Sequence, residues 1–148
     1  MHRIVVGVDG SEESKAALRW ALDEGRLRSA SVRAIYAWAF PHMATWPGSV
    51  APAQVNIDAL QHDAEEFLDS VIAEANTEGV DVGRAAVQGS AAQVLVEAAA
   101  EADLLVVGSR GHGGFTGSLL GSVSQQCAHH APCAVVIVRK QRERLAVE

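Results

Sequence analysis

The sequence predicts an α/β fold, an open five-stranded parallel sheet with helices on both faces. Two observations carry this. Ile4-Val5-Val6-Gly7-Val8, Leu104-Leu105-Val106-Val107 and Ala134-Val135-Val136-Ile137-Val138 are short continuous apolar runs, the mark of strands buried on both faces. Helix-like stretches stand between strand-like ones throughout, giving βαβαβαβαβ. A third observation sets the scale: 148 residues, 49 % apolar, without an internal repeat or linker, read as one domain over 1–148.

Strand 1 is Ile4–Val8. Ser11 is placed to cap the helix that follows, with Glu12 and Glu13 favourable in its first turn. That helix buries Ala17, Leu18, Trp20, Ala21 and Leu22 and fades near Arg26-Leu27-Arg28. Ser31–Ala39 reads as strand 2. The connection Phe40–Gln54 holds three of the four prolines plus Met43 and Trp46, so it is either a contact surface or lid, or a loop folded on its own apolar side chains. Leu60, Ala64, Phe67, Leu68, Val71, Ile72 and Ala75 step by three and four in the clearest helix of the chain, with Gly79 as its stop. Val80–Val87 is a weaker strand 3. Ser90 and Gln93 have capping-box spacing ahead of Val94, Leu95, Ala98 and Ala99. Strand 4 is Leu104–Val107. A helix from about Ser118 to His130 ends before Pro132, and Ala134–Val138 is strand 5.

Composition excludes several functions. A net charge of −6 argues against a general nucleic-acid binder, since no basic surface dominates, and the basic cluster Arg139, Lys140, Arg142 and Arg144 is interrupted by Glu143. No run is long and apolar enough for a membrane span, and the start lacks a signal-peptide profile, so the expected location is cytoplasmic. Cys127 and Cys133 flank His129-His130 without a second ligand pair, and read as small core residues rather than a zinc site.

The functional signal follows strand 4. Gly108-Ser109-Arg110-Gly111-His112-Gly113-Gly114 and then Gly121-Ser122 place five glycines within fourteen residues. Glycine lets backbone N–H groups approach an anion, and a helix starting after such a turn adds its positive end. In an open parallel sheet, ligands bind beyond the carboxyl ends of strands where the winding reverses. If strands 1 and 4 are neighbours, Asp9 faces the same crevice. A carboxylate beside a phosphate cradle must meet something else, such as ribose hydroxyls, a base edge or a cation. The pair therefore points to a nucleoside phosphate. Two common phosphate motifs fail: no lysine lies between Gly83 and Val138, and Thr116 takes the third glycine position of a dinucleotide fingerprint.

Gly108, Gly111 and Gly121-Ser122, spaced as glycine, two residues, glycine, nine residues, glycine-serine, resemble the nucleotide motif of the universal stress protein family, in its ATP-binding branch. The opening Ile-Val-Val-Gly-Val-Asp-Gly-Ser, the segment Asp103–Gly111 and the ending Ala131–Val138 extend the resemblance over nearly the whole chain. It implies a Rossmann-like sheet of order 3-2-1-4-5. It implies that Val8 and Ala37 wall an adenosine pocket, that Val107 and Gly108 line it, and that Asp9 meets ribose or adenine. The backbone at Gly111 and at Gly121, Ser122 and Val123 would hold phosphates, with the Ser122 and Ser124 hydroxyls as further donors. Arg110, the one cation between Gly108 and Ala128, either contacts a phosphate or faces solvent.

The implied ligand is ATP, with Mg²⁺ as an accompanying ion. AMP or cyclic AMP in the same pocket is the alternative reading, and an interaction protein using no nucleotide is disfavoured by the retained motif. Phosphoryl transfer needs metal, a positioned nucleophile and charge stabilisation. The loop has no lysine, the phosphate end no carboxylate pair, and nothing evident orients His112. The expectation is a stress-response regulator that binds nucleotide, with hydrolysis absent or slow. The resemblance further implies a homodimer through the apolar edge strand Ala134–Val138.

Overall fold

The alternation of apolar runs and amphipathic stretches folds into one continuous sheet. A computed structural model describes residues 1–39, 56–111 and 120–140. Its elements are β1 (Arg3–Gly7), α1 (Glu12–Arg28), β2 (Ser31–Trp38), α2 (Ile57–Ala73), β3 (Val82–Gln88), α3 (Ala91–Ala99), β4 (Leu104–Gly108), α4 (Ser122–His130) and β5 (Ala134–Val138). All strand pairs are parallel, in the order β3-β2-β1-β4-β5. The chain winds outward from β1 in one direction, then returns to the other side of it as β4. The reversal therefore falls between β1 and β4.

Alternation along the strands divides the core. Ile4, Val6, Val32, Ala34, Leu104 and Val106 point to the face covered by α1 and α2, meeting Leu18, Leu22, Leu68 and Val71. Val5, Ile35, Leu105 and Val107 point to the opposite face, against Val94, Leu95 and Ala99 of α3 and Cys127 of α4. The central strands are fully enclosed, with Ile4, Val5, Val6, Leu105 and Val106 at most 1 % exposed. At the edge, β5 keeps Val135, Val136, Ile137 and Val138 only half-buried. Burial also holds the Cys127 thiol neutral, pushing its pKa up to about 11.

Local chemistry sets the ends. Ser11 caps α1 as its spacing predicts, its hydroxyl accepting from the Ser14 N–H at 3.2 Å. Asp103 takes the backbone N–H groups of His2 and Arg3 at 2.8 and 3.0 Å, pinning the start of β1 beside β4. These donors hold its carboxyl below the usual range. No helix among the described residues is long and apolar enough to cross a membrane.

Several boundaries differ from the sequence expectation. α2 stops at Ala73, well before Gly79. Arg26 substitutes for a longer helix there, donating to the carbonyls of Asn76 and Glu78 and so fixing the turn that Gly79 completes at φ +77°. β3 runs Val82–Gln88, and β2 ends at Trp38. Ser90 sits at the cap of α3 but makes no side-chain capping bond, and the Gln93 amide donates to Glu97 one turn onward instead of closing the box. Trp20 is only half-buried, and Phe67 lies on the surface against Tyr36, with ring centroids 4.8 Å apart. α4 begins at Ser122 rather than Ser118, leaving Leu120 and Gly121 non-helical. The Phe40–Gln54 connection lies outside the described residues, as do His112, Thr116, Ser118, Arg142 and Arg144.

Candidate functional site

A cavity of about 620 Å³ opens at the carboxyl ends of β1, β2 and β4 and at the start of α4. That volume suits a small organic ligand. Val8, Asp9, Ala37, Val107, Gly108 and Arg110 line it, together with Gly111, Gly121, Ser122, Val123 and Ser124. All the residues expected at a site from sequence therefore converge on one crevice. The reversal of winding explains this, because it brings two distant strand ends together.

On the β1 side the backbone folds around Asp9. Gly10 adopts φ +83°, so the chain turns sharply from strand to helix. Ser11 then donates both its N–H, at 2.9 Å, and its hydroxyl, at 2.5 Å, to Asp9 Oδ1. The Asp9 N–H donates to Ser14 Oγ at 3.2 Å, and Ser14 Oγ donates to the Ser11 carbonyl at 3.0 Å. The other carboxylate oxygen turns toward β4: a Cβ built on Gly111 would stand 2.6 Å from Asp9 Oδ2. Asp9 is the one carboxylate among the described residues lining the cavity.

On the β4 side the site is made of backbone. Gly108 lies against the first turn of α1, where an added Cβ would come within 2.8 Å of the Glu13 carbonyl carbon and 2.9 Å of the Ser14 nitrogen. The buried Ser109 accepts at its carbonyl from the Gly121 N–H at 2.8 Å and from the Ser124 hydroxyl at 3.1 Å. This draws the start of α4 back onto the exit of β4. Gly121 caps that helix without a side-chain bond, and the first intrahelical donor is Gln125, to the Gly121 carbonyl at 3.0 Å. The N–H groups of Ser122, Val123 and Ser124 thus begin a helix at the cavity with no side chain placed over them, a built-in preference for an anion.

One expected role changes. Ser124 is 2 % exposed, and its hydroxyl proton is shared between the carbonyls of Ser109 and Gly121. It holds the turn together, so its own offer to an anion is the backbone N–H, whereas Ser122 is exposed and keeps its hydroxyl at the helix start. Sequence reasoning passed over Ser14, Ile35, Tyr36, Ala91 and Leu95, which also line the cavity. Ser14 had a signal in the Asp-Gly-Ser-x-x-Ser pattern, whose two serines lie one helical turn apart. Leu95 had none; it reaches the cavity because it packs over Gly7, where a Cβ would come within 2.7 Å of it.

The universal stress protein family model matches residues 1–139. The chain belongs to the universal stress protein family. A universal stress protein of Mycobacterium tuberculosis is 36 % identical over 139 residues, which are 93 % of this chain and 45 % of that protein. The chain thus spans about half the length of the curated relatives it matches. Among solved structures, a universal stress protein in complex with cAMP is 29 % identical, with a TM-score of 0.61 and coverage of 95 % of this chain and 98 % of its own. The Archaeoglobus fulgidus universal stress protein in complex with dAMP shares the fold at 22 % identity and TM-score 0.61, covering 93 % of this chain and 98 % of its own. The five-stranded order and the helical layers of this universal stress protein are therefore those of its structural relatives.

Proposed function

We propose that the cavity binds an adenine nucleotide, with ATP as the ligand and the chain acting as a stress-response regulator that holds it without rapid turnover. The observation that carries this is the polarity of the crevice. One lining combines the Asp9 carboxylate, the uncapped start of α4 and the apolar side chains of Val8, Ala37 and Val107. Phosphates suit the N–H groups of α4, a purine suits the apolar side chains, and ribose hydroxyls suit Asp9. The relatives bound to cAMP and dAMP support the adenosine half of this reading and make AMP or cyclic AMP the second ligand to test.

Any Mg²⁺ would arrive on the phosphates, because the α4 end of the cavity contributes serine hydroxyls and backbone groups rather than carboxylates. Asp9 Oδ1 already accepts from the Ser11 N–H and hydroxyl, so that oxygen is poorly placed to activate an attacking water. Titration with ATP, ADP, AMP and cyclic AMP ranks the ligands. Incubation with ATP and Mg²⁺, followed for ADP, AMP and pyrophosphate, tests the rest. Multiple turnovers that disappear in Asp9→Ala would overturn a binding-only function.

The same proposal includes a cytoplasmic homodimer joined along β5, which pairs with β4 on one side and presents its half-buried valines at the sheet edge. Sedimentation should show a wild-type dimer that Val136→Lys dissociates. A monomeric wild type removes this part of the proposal.

A further inference from the structure

We infer that Ser14, acting with Ser11, is a positioning residue that sets how strongly the site discriminates ribose from deoxyribose. The inference rests on the nucleotide reading above and concerns residues outside the glycine motif. Three hydrogen bonds tie Asp9 to Ser11 and Ser14. Ser11 takes Oδ1 with two donors, at 2.9 and 2.5 Å. Ser14 takes the Asp9 backbone N–H at 3.2 Å. The packing of α1 against Gly108 fixes Ser14 in turn, since the Ser14 nitrogen lies 2.9 Å from where a Gly108 Cβ would be. Ser11 and Ser14 are 6 % and 4 % exposed, so neither hydroxyl is spent on solvent.

This clamp has a directional result. Engaging Oδ1 on the α1 side turns Oδ2 across the crevice toward Gly111. A carboxylate oxygen held at that point can accept from a sugar hydroxyl without first losing rotamer freedom, and charge-assisted bonds of this kind reward fixed geometry. Without Ser14, the Asp9 N–H loses its acceptor and the strand-to-helix turn its second tie. Asp9 then keeps its charge but loses its aim. Because Ser14 is engaged with Asp9 and the Ser11 carbonyl, its loss should be felt at the sugar and barely at the phosphates.

The test is equilibrium binding of AMP, 2′-deoxy-AMP and 3′-deoxy-AMP to the full chain and to Ser14→Ala, Ser11→Ala and Ser11→Thr. The wild type should prefer AMP over at least one deoxynucleotide by about tenfold, the worth of one hydrogen bond to a charged group. In Ser14→Ala and Ser11→Ala the ratio should fall to within about twofold of unity, with deoxynucleotide affinity nearly unchanged. Ser11→Thr, which keeps the hydroxyl, should retain the preference. If Ser14→Ala weakens all three ligands equally, or leaves the ratio intact, its role is only structural and the inference fails. A wild type that binds all three equally overturns the clamp while the nucleotide reading stands. A wild type that binds none overturns the nucleotide reading, and the clamp with it.

Discussion

The starts of α1 and α4 face the same cavity and satisfy their backbones in opposite ways. α1 has a serine cap that accepts from its first turn, and two glutamates to balance its positive end. α4 has a glycine cap, no capping side chain and no acidic residue in its first turn. The first helix start is already complete, while the second waits for negative charge from outside. Their neighbours follow suit, because Asp9 sits beside α1 and the backbone of Ser109–Gly111 beside α4. One fold thus builds a carboxylate-bearing wall and an anion-seeking wall from the same kind of strand-to-helix turn. The difference lies in which residue occupies the cap.

The largest test of this contrast acts on both walls together. Gly108→Ala places a Cβ against the Glu13 and Ser14 backbone, which has no flexible end to move aside. It should cost about 1–3 kcal/mol in urea unfolding and abolish nucleotide binding by pushing α1 away from β4. Gly121→Val separates the two properties. Its Cβ would meet Arg110, Ser109 and Gly111 at 3.4 to 3.8 Å, ordinary contact, and φ −67° with ψ 163° suits any residue. Stability should change by less than about 1 kcal/mol, while calorimetry should show affinity reduced by about tenfold or more, as a branched side chain stands in the phosphate approach.

Gly121→Ser makes α4 resemble α1. A hydroxyl cap over the free N–H groups should raise stability by a few tenths of a kcal/mol, roughly the serine–glycine difference at a helix cap, and should weaken nucleotide binding severalfold. Improved binding would mean that the backbone N–H groups are not the anion's partners. The smallest effect concerns pH. The folded Cys127 thiol titrates higher than the unfolded one, near 11 rather than 9.0, because burial disfavours its charge. Its contribution is complete below pH 9 and is lost as pH rises toward 11. Thermal melts across that window should decline less steeply for Cys127→Ala than for wild type, with the loss in wild type beginning at α4 rather than α1.

Much of this was legible before the fold was known, and the parts that were not have physical reasons. The strands were readable because burial on both faces demands unbroken apolar runs such as Ile4–Val6 and Leu104–Val107. Asp9 and the glycine segment could be paired because an open sheet has only one reversal of winding. Helix ends were harder to read. Gly79 looked like a stop, but Arg26, far away in sequence, closes the α2 turn by long-range bonds that leave no local trace. The Ser90-Gln93 spacing promised a cap, yet Gln93 found a partner one turn onward. Ser124 looked like a ligand donor because its hydroxyl's real acceptors, carbonyls of Ser109 and Gly121, are set by tertiary folding.

Ser109 carries one more consequence. Its N–H is bonded to the Val138 carbonyl at 2.8 Å, and its carbonyl holds the Gly121 N–H at the same distance. Two amide protons, those of Ser109 and Gly121, therefore keep time for two different openings. The Ser109 proton exchanges with solvent deuterium only when the end of β5 parts from β4, and the Gly121 proton only when the start of α4 lifts from the strand exit. A single residue thus provides a pair of clocks, one for the sheet edge and one for the crevice, readable in the same spectrum.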